Sequence, residues 1–395
     1  MVSSESTQCV DIRGRALSIP FKVAFEQASA RRLGSEAVFV HAQRGEFVGR
    51  GEGCPRVYQT GETLAEAVAW IADNAALWRH WLDDLDGLQG FVNRSGALID
   101  RHPAAWCAIE TAVLDLFARE AGLGVEALLG LPECPRRFHY TAVLGMRPPR
   151  MLLDRIGTMS LCDFKIKVGR DLERDRELIA HVRQRLPGAR IRLDANNAFG
   201  HDIEGALLHL SKLDGYWAVE EPLLRGRPEA VALIARALDV PVILDEAILT
   251  LEDFERFAAL DAEWILNLKV SRVGGVLRAL GLVRAAREAG WGIIVGAQAG
   301  ESSLLTRAGH LVARAAGGSL RAMEGAVGTH MLHWEPNAPS LRFGRGGCLD
   351  LDDFELEQAG WGLREDGAPP EPVAQGSSIF SPTSLRASSL EGSMP

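Results

Sequence analysis

The chain has 395 residues, a formal net charge of −9 and 47% hydrophobic residues. This length suggests two domains, and the apolar content is sufficient for a large core. The acidic balance argues against a nucleic-acid-binding protein, because no basic face is expected to dominate it. No apolar run is long enough to predict a membrane-spanning helix, and the polar residues 1–10 do not resemble a signal peptide.

The six cysteines contain no CxxC pair, and their separations are typical neither of a disulfide framework nor of a zinc site. We therefore expect reduced cysteines and a cytoplasmic protein without membrane or nucleic-acid partners, and we expect a homo-oligomer. Residues 366–395 are rich in Ser, Pro and Gly and predict a disordered tail.

The first part of the chain predicts strands followed by helices, which favours an α+β domain over residues 1–133. Strands are predicted at 10–19, 37–44 and 46–52, and helices at 63–82 and 103–121. Pro103 is typical of a first helical turn, and Gly122 is typical of a helix end.

From residue 137 the pattern changes, and short β-branched runs alternate with amphipathic stretches. The predicted strands are 137–144, 164–168, 191–194, 217–220, 242–245, 264–270, 292–295 and 320–324, with helices at 172–185, 228–238 and 276–289 among the intervening segments. Eight strands spaced by about 25 residues favour an α/β fold of the parallel (β/α) TIM-barrel type over residues 134–333. A doubly wound sheet is disfavoured because no GxGxxG turn follows the first strand. Residues 334–365 are expected to return to the first domain and complete a cap.

Charged residues recur at the carboxyl ends of consecutive predicted barrel strands. They are Lys165, Lys167, Asp194, Glu220, Asp245 and Lys269. From Lys167 onward these positions are about one βα unit apart, so they are expected to meet at one mouth of the barrel, where barrel active sites lie. The two lysines of the first pair are separated by two residues, which places both side chains on one face of a strand.

Three carboxylates that converge on one mouth would repel each other without a cation. Oxygen ligands favour Mg²⁺, with Mn²⁺ as an alternative, over zinc, which prefers His or Cys. A lysine can act as a base when burial, a neighbouring ammonium or a dication disfavours its charged form. Lys165 provides such an ammonium beside Lys167. For isolated residues, helix caps or edge-strand lysines would be the simpler interpretation.

The combined motifs resemble the enolase superfamily, in particular its muconate lactonizing enzyme subgroup (mandelate racemase/muconate lactonizing enzyme-like). The matching segments are Lys165-Ile-Lys167, Asp194-Ala-Asn196, Glu220-Glu221-Pro222, Asp245-Glu246 and 267–275. The resemblance covers nearly the whole chain and implies an enolase-type barrel capped by the N-terminal region and the returning C-terminal segment. It further implies an isomerase that abstracts a proton α to a carboxylate and stabilises an enediolate with Mg²⁺.

The resemblance also implies roles for individual residues. Asp194, Glu220 and Asp245 would hold the metal, and Lys167 and Lys269 would be the two acid/base groups. Lys165 would tune Lys167 and contact the substrate carboxylate. Three residues would support the site, namely Asn196 near the metal, Glu246 in hydrogen bonds around Lys269, and Glu301 near the substrate.

Two capping loops are expected to cover the substrate, at about 19–31 and 54–60. The first loop contains Phe21, Phe25 and Glu26, and it lacks an arginine that relatives acting on acidic dipeptides place near Glu26. The eighth strand reads Arg-Ala-Met-Glu-Gly and lacks the Asp-x-Asp that would bind a dipeptide ammonium group. Both departures count against an Ala-Glu dipeptide epimerase. We therefore hypothesise a substrate with a cationic or neutral distal end.

The reaction itself is left open among several alternatives. Racemisation or epimerisation of an amino acid derivative is favoured because two lysines can serve the two faces of the α-carbon. Muconate-type cycloisomerisation and syn-elimination by a dehydratase or synthase would retain the same lysines. A metal-dependent hydrolase is disfavoured because the converging strands offer no His, and an inactive metal-binding homologue is disfavoured by the intact lysines and carboxylates.

Overall fold

The computed structural model describes residues 9–27, 30–131, 135–146, 148, 153, 156–158, 160–326 and 330–366. The predicted tail therefore lies outside the described residues except for Asp366. Within the described ranges, none of the helices combines the length and the apolar character needed to cross a bilayer. The five cysteines in these ranges are free thiols.

The N-terminal part is a three-stranded antiparallel sheet followed by helices. Its elements are β1 (Asp11–Gln27), β2 (Ala30–Arg44), β3 (Phe47–Gly53), α1 (Val57–Thr60), α2 (Leu64–Asp73), α3 (Ala75–Trp81), α4 (Leu85–Arg94), α5 (Gly96–Arg101), α6 (Pro103–Ala121) and α7 (Val125–Leu128). Helix α6 packs against β3, where Gly49, Gly51 and Gly53 face its backbone so closely that an added Cβ would collide with carbonyl oxygens of the helix. Only glycine permits this approach.

Two expectations for this part are wrong in detail. The strands predicted at 10–19 and 37–44 extend much further and pair with each other in antiparallel register, so the described residues of the expected loop at 19–31 are strand. The helix predicted at 63–82 is broken at Asn74, whose side-chain amide donates to the Trp70 carbonyl. Helix α6 has the predicted bounds, and Gly122 ends it with φ of 66°.

The second part is an eight-stranded parallel sheet in sequential strand order, β5 to β12. Its elements, with the short strand that precedes it, are β4 (Arg137–His139), β5 (Ala142–Leu144), β6 (Asp163–Lys167), α8 (Leu172–Arg185), β7 (Arg190–Asp194), α9 (Ile203–Leu210), β8 (Val219–Glu220), α10 (Pro228–Leu238), β9 (Val242–Leu244), α11 (Leu251–Ala258), β10 (Trp264–Leu268), α12 (Val276–Glu288), β11 (Gly292–Val295), α13 (Ser303–Ala316) and β12 (Leu320–Met323). The Thr141 amide donates to the Met323 carbonyl at 2.8 Å and joins the first strand to the last. The predicted α/β barrel is therefore confirmed.

The strand predicted at 137–144 is in fact two strands, because β4 leaves the barrel and pairs with the C-terminal segment. That segment contains β13 (Asn337–Ala338), β14 (Cys348–Asp350) and β15 (Arg364–Glu365), and β14 is antiparallel to β4. Beyond β14 the chain contacts the N-terminal part. The Trp361 indole donates to the Thr111 carbonyl of α6 at 3.0 Å, and Arg15 of β1 bonds Glu365 at 3.0 Å.

Candidate active site

Side chains on the inner face of the barrel form an apolar layer and, nearer the carboxyl ends of the strands, a polar layer. The apolar layer is a separate buried cluster made of Ala218, Ile243, Ile265, Ile294 and Ala322. Because side chains alternate between faces, the residues two positions later point to the same interior. Those residues include Glu220, Asp245, Asn267 and Glu324. The predicted polar residues thus lie at the carboxyl-terminal mouth of a filled barrel.

The predicted lysines and carboxylates are brought together and form buried ion pairs. The Lys167 ammonium lies 2.5 Å from Asp194 Oδ2, and the Lys269 ammonium lies 2.6 Å from Asp245 Oδ2. Lys165 contacts Asp194 at 2.9 Å and Glu220 at 2.7 Å. All six side chains are at least nine-tenths buried, so little water screens these charges.

These pairs determine the charge states of the buried groups. Burial alone would lower the pKa of Lys165, but Asp194, Glu220 and Glu324 together raise it above its ordinary value. Burial raises the pKa of Asp194, yet Lys165 and Lys167 outweigh burial and lower it overall. Burial, reinforced by Asp194, raises the pKa of Glu220. The carboxylates around Lys165 therefore favour its charged form.

The three candidate metal ligands are supplied by adjacent strands, and Asp194 and Glu220 are direct partners in the register of β7 and β8. Among the residues that the structure describes, no three His, Cys, Asp or Glu side chains are grouped closely enough to hold an ion as they stand. Each of these carboxylates is instead turned toward a lysine or arginine. Glu220 Oε2, however, is buried without a hydrogen-bond partner in the described part of the chain. The all-oxygen donors fit Mg²⁺ in chemistry, and binding requires them to exchange ammonium partners for the ion.

The three predicted supporting residues lie at the same mouth of the barrel. One of them, Glu246, has a different hydrogen-bond partner from the expected one. Asn196 Oδ1 accepts from the Lys167 ammonium at 2.7 Å. Glu246 Oε1 accepts from the Gln59 amide at 3.3 Å, whereas bonds around Lys269 were expected. Glu301 is buried, and its carboxyl group accepts a hydrogen bond from the backbone amide of Gln298 at 2.6 Å. Burial raises the pKa of Glu301 to about 8.

Three further charged residues complete the site, with roles that were not predicted from the sequence. Arg192 is fully buried and donates to Glu324 at 2.6 Å. Glu324 also lies 3.1 Å from the Lys165 ammonium. Arg272 contacts Asp245 and donates to the Asn267 carbonyl at 2.7 Å. Strand periodicity contains a signal for two of them, because Arg192 is two residues before Asp194 and Glu324 ends the eighth strand.

The second loop of the cap, residues 54–60, contacts the mouth and includes α1. Arg56 is buried and donates to the Ala299 carbonyl at 2.9 Å, while Gln59 bridges Glu246 and Gln298. In the first predicted loop, Phe21 is buried and forms a backbone bridge with Leu332. The side chains of the other two predicted contacts, Phe25 and Glu26, lie outside the described part of the structure.

A pocket opens between the 54–60 loop and the strand ends. Its lining combines the three lysines and Glu324 with the cap residues Tyr58 and Gln59 and with Val143, Gln298 and Met331, among others. The pocket lining therefore combines lysine amines and the Glu324 carboxyl group with apolar and amide groups.

Residues 157–366 match the family described as Enolase C-terminal domain-like. This match covers more than half of the chain. The chain belongs to this family, within the enolase superfamily. Its predicted membership is thus confirmed, as is its expected status as an isomerase of that superfamily.

This enolase-superfamily chain is similar to several curated enzymes. A hydrophobic dipeptide epimerase from Enterococcus faecalis is 27% identical over 312 residues, which are 76% of this chain and 85% of that enzyme. An N-succinyl-L-Arg/Lys racemase from Bacillus cereus is 29% identical over 217 residues, 53% of this chain and 58% of the racemase. These relatives are epimerases and racemases of amino acid derivatives.

Solved structures show the same fold. The dipeptide epimerase from Enterococcus faecalis V583, complexed with Mg and the dipeptide L-Leu-L-Tyr, superposes with a TM-score of 0.77 at 24% identity. The match covers 90% of this chain and 99% of that chain. At this level of identity the similarity establishes the enolase-type fold. The Mg ion was observed in that relative, which has the same architecture.

Proposed function

We propose that the protein is a Mg²⁺-dependent racemase or epimerase that acts at the carbon α to the carboxylate of an amino acid derivative. One observation carries this proposal. Lys167 is the last residue of the second barrel strand, and Lys269 directly follows the sixth, so the two lie four strands apart in a ring of eight. Both line one pocket, so a substrate held between them presents opposite faces of its α-carbon to the two amines.

This geometry assigns complementary tasks to the two lysines. One amine removes the α-proton from its face, and the other, as an ammonium, returns a proton to the opposite face. Exchange of the two roles gives the reverse reaction. A positioned acid/base group of this kind contributes a factor of about 10²–10⁴. Lys165, which its carboxylate neighbours keep charged, supports the proposal as the group that attracts the substrate carboxylate.

Asp194, Glu220 and Asp245 would hold the metal, for which Mn²⁺ is a chemically reasonable substitute. When bound, Mg²⁺ supplies positive charge that stabilises the enediolate form of the substrate. The chain itself orients these ligands, excludes water through the 54–60 loop, and holds the proton-transferring amines. Asn196 supports the position of Lys167 through its side-chain oxygen.

The relatives also bear on the substrate. The names of two of them specify cationic side chains, an N-succinyl-L-Arg/Lys racemase and an L-Lys-D/L-Arg epimerase from Methylococcus capsulatus. We propose a substrate whose distal end is cationic or neutral, in keeping with the expectation that the segment containing Glu26 covers the substrate. Cycloisomerisation and syn-elimination would use the same lysines, but the names of these relatives favour epimerisation.

The test is α-proton exchange in D₂O, followed by NMR, on a panel of N-acylated amino acids and dipeptides. Incorporation of deuterium with inversion at the α-carbon, abolished by EDTA and restored by Mg²⁺, is the expected result. Elimination or lactone formation without inversion would replace the proposal by one of the alternative reactions. Full activity in a protein shown to be free of metal would reject the metal-dependent scheme.

A further inference from the structure

Glu221 directly follows the candidate ligand Glu220, but its side chain forms hydrogen bonds with the end of a different strand, β9. It is 2% exposed, and one of its oxygens, Oε1, accepts two backbone hydrogen bonds. The amide of Asp245 donates to it at 2.6 Å, and the amide of Ala247 donates at 2.8 Å. The side chain therefore binds the backbone of Asp245, another candidate ligand, at the end of β9.

The backbone of Glu221 makes contacts on both sides. Its carbonyl accepts from the Asn197 amide at 2.8 Å, and its amide donates to the Ile243 carbonyl at 3.2 Å. Asn197 belongs to the turn after Asp194. One residue thus links the ends of β7, β8 and β9, the three strands that present the candidate metal ligands.

Glu221 also adopts a backbone conformation that is unfavourable for a side chain of its kind, with φ of 41°. Such a left-handed conformation is strained at a residue other than glycine and persists only where the surroundings enforce it. The turn directs Glu220 into the barrel and Glu221 along the mouth toward β9.

We infer that Glu221 is a positioning residue for the metal site, which sets the spacing of the three ligands by fixing the backbone of Asp245. This inference rests on the proposed function for the identity of the ligands. Loss of an outer group that orients a metal ligand weakens metal affinity by about 10–100-fold.

Three variants separate the side chain from the backbone conformation. Glu221→Gln retains an amide oxygen that can accept both N–H groups, so it is the matched conservative variant. Glu221→Leu has a similar size and no acceptor. Glu221→Gly removes the acceptor but relieves the left-handed strain.

The readout is the Mg²⁺ dissociation constant from calorimetry without substrate, with folding of each variant verified by circular dichroism. We expect the leucine and glycine variants to bind Mg²⁺ about 10–100-fold more weakly, and the glutamine variant to bind like the wild type. If Glu221→Leu does not fold, Glu221→Asp replaces it in the test. The shorter aspartate side chain can accept from the Asp245 amide only if the Asp245 backbone shifts, so this variant has to show the same weakening.

Wild-type affinity in folded Glu221→Leu or Glu221→Asp would overturn the inference while leaving the proposed function intact. Wild-type affinity in Glu221→Gly would show that the carboxyl group is dispensable and would overturn it as well. Weak binding by Glu221→Gln, as weak as that of the leucine variant, would contradict the role of the shared Oε1 acceptor. Failure of the wild type to bind Mg²⁺ would instead reject the proposed function, and this inference with it.

Discussion

The Lys167 ammonium lies 2.5 Å from Oδ2 of Asp194, so a proposed base directly contacts a proposed metal ligand. The opposite side of the mouth repeats this relationship, with Lys269 2.6 Å from Oδ2 of Asp245. In both cases the lysine pairs with the carboxylate of a neighbouring strand. Metal binding and lysine placement are therefore expected to be linked.

Asp245→Asn should weaken Mg²⁺ binding strongly, because it removes a charged oxygen ligand, while the barrel stays folded. Asp245 also pairs with Lys269 and Arg272, so some loss of stability is expected from the two cations left behind. Calorimetric titration with Mg²⁺ measures the effect, and the exposed Asp352→Asn is the matched control. Equal affinity in the two variants would exclude Asp245 from the ligand set.

Lys167→Ala and Lys269→Ala should each abolish racemisation of both enantiomers, since inversion needs an amine on each face. Each loss should amount to at least about 10²–10⁴-fold. One-sided α-proton exchange can survive in each variant, because the remaining amine still reaches its own face. NMR in D₂O with each enantiomer separately resolves this pattern. Near-normal racemisation by Lys269→Ala would rule out the two-base scheme.

Arg192→Met should destabilise the barrel, because it removes the buried cation that pairs with Asp163 and, together with Lys165, with Glu324. Removal of one partner from a buried ion pair typically costs about 3–5 kcal/mol. Glu324→Gln retains an oxygen acceptor for the Arg192 guanidinium and should cost less. Urea denaturation of the two variants compares these costs. A larger loss in Glu324→Gln than in Arg192→Met would contradict the assigned role of Arg192.

Glu110 on α6 accepts from the Leu277 amide at the start of α12, and burial raises its pKa to about 7 from 4.5. The folded state thus holds this proton more tightly than the unfolded state. Its stabilising contribution is complete below pH 4.5 and is lost as the pH rises to about 7, on the order of 3 kcal/mol in all. We expect the free energy of unfolding to fall over this range.

Glu110→Gln should make that decline shallower but not remove it, because burial also raises the pKa of Glu62 to about 7. Chemical denaturation at several pH values between 5 and 7.5 provides the measurement, and the exposed Glu355→Gln is the control. A pH profile in Glu110→Gln that parallels the wild type would show that Glu110 keeps its ordinary protonation.

Glu26→Gln should raise KM for substrates with a cationic distal group far more than for neutral ones, if Glu26 meets that group in a closed site. Pairing of Glu26 with a surface arginine would leave KM unchanged, since an exposed pair contributes little. Steady-state kinetics with matched basic and neutral amino acid derivatives distinguishes the two outcomes. Preferential turnover of a dicarboxylate such as muconate by the native protein would favour cycloisomerisation instead.

The sequence alone was sufficient to predict the barrel and the strand face that Lys165 and Lys167 share. Period-two alternation places Lys165 with Lys167 and Arg192 with Asp194 on one face wherever those strands pair. Local signals were equally reliable for α6, α8 and α10, whose predicted and observed bounds agree. These features depend on residues that are neighbours in the chain.

Only the tertiary structure decided which charges are partners. Lys165 and Arg192 meet Glu324 across the barrel because closure brings the first and last strands together. Glu246 bonds Gln59 of the cap because the 54–60 loop docks onto the mouth. Periodicity specifies a face but not the group opposite it, since that depends on how separate segments pack. The direction of Glu221 toward β9 is of the same kind, because a turn with positive φ interrupts the alternation that the sequence pattern assumes.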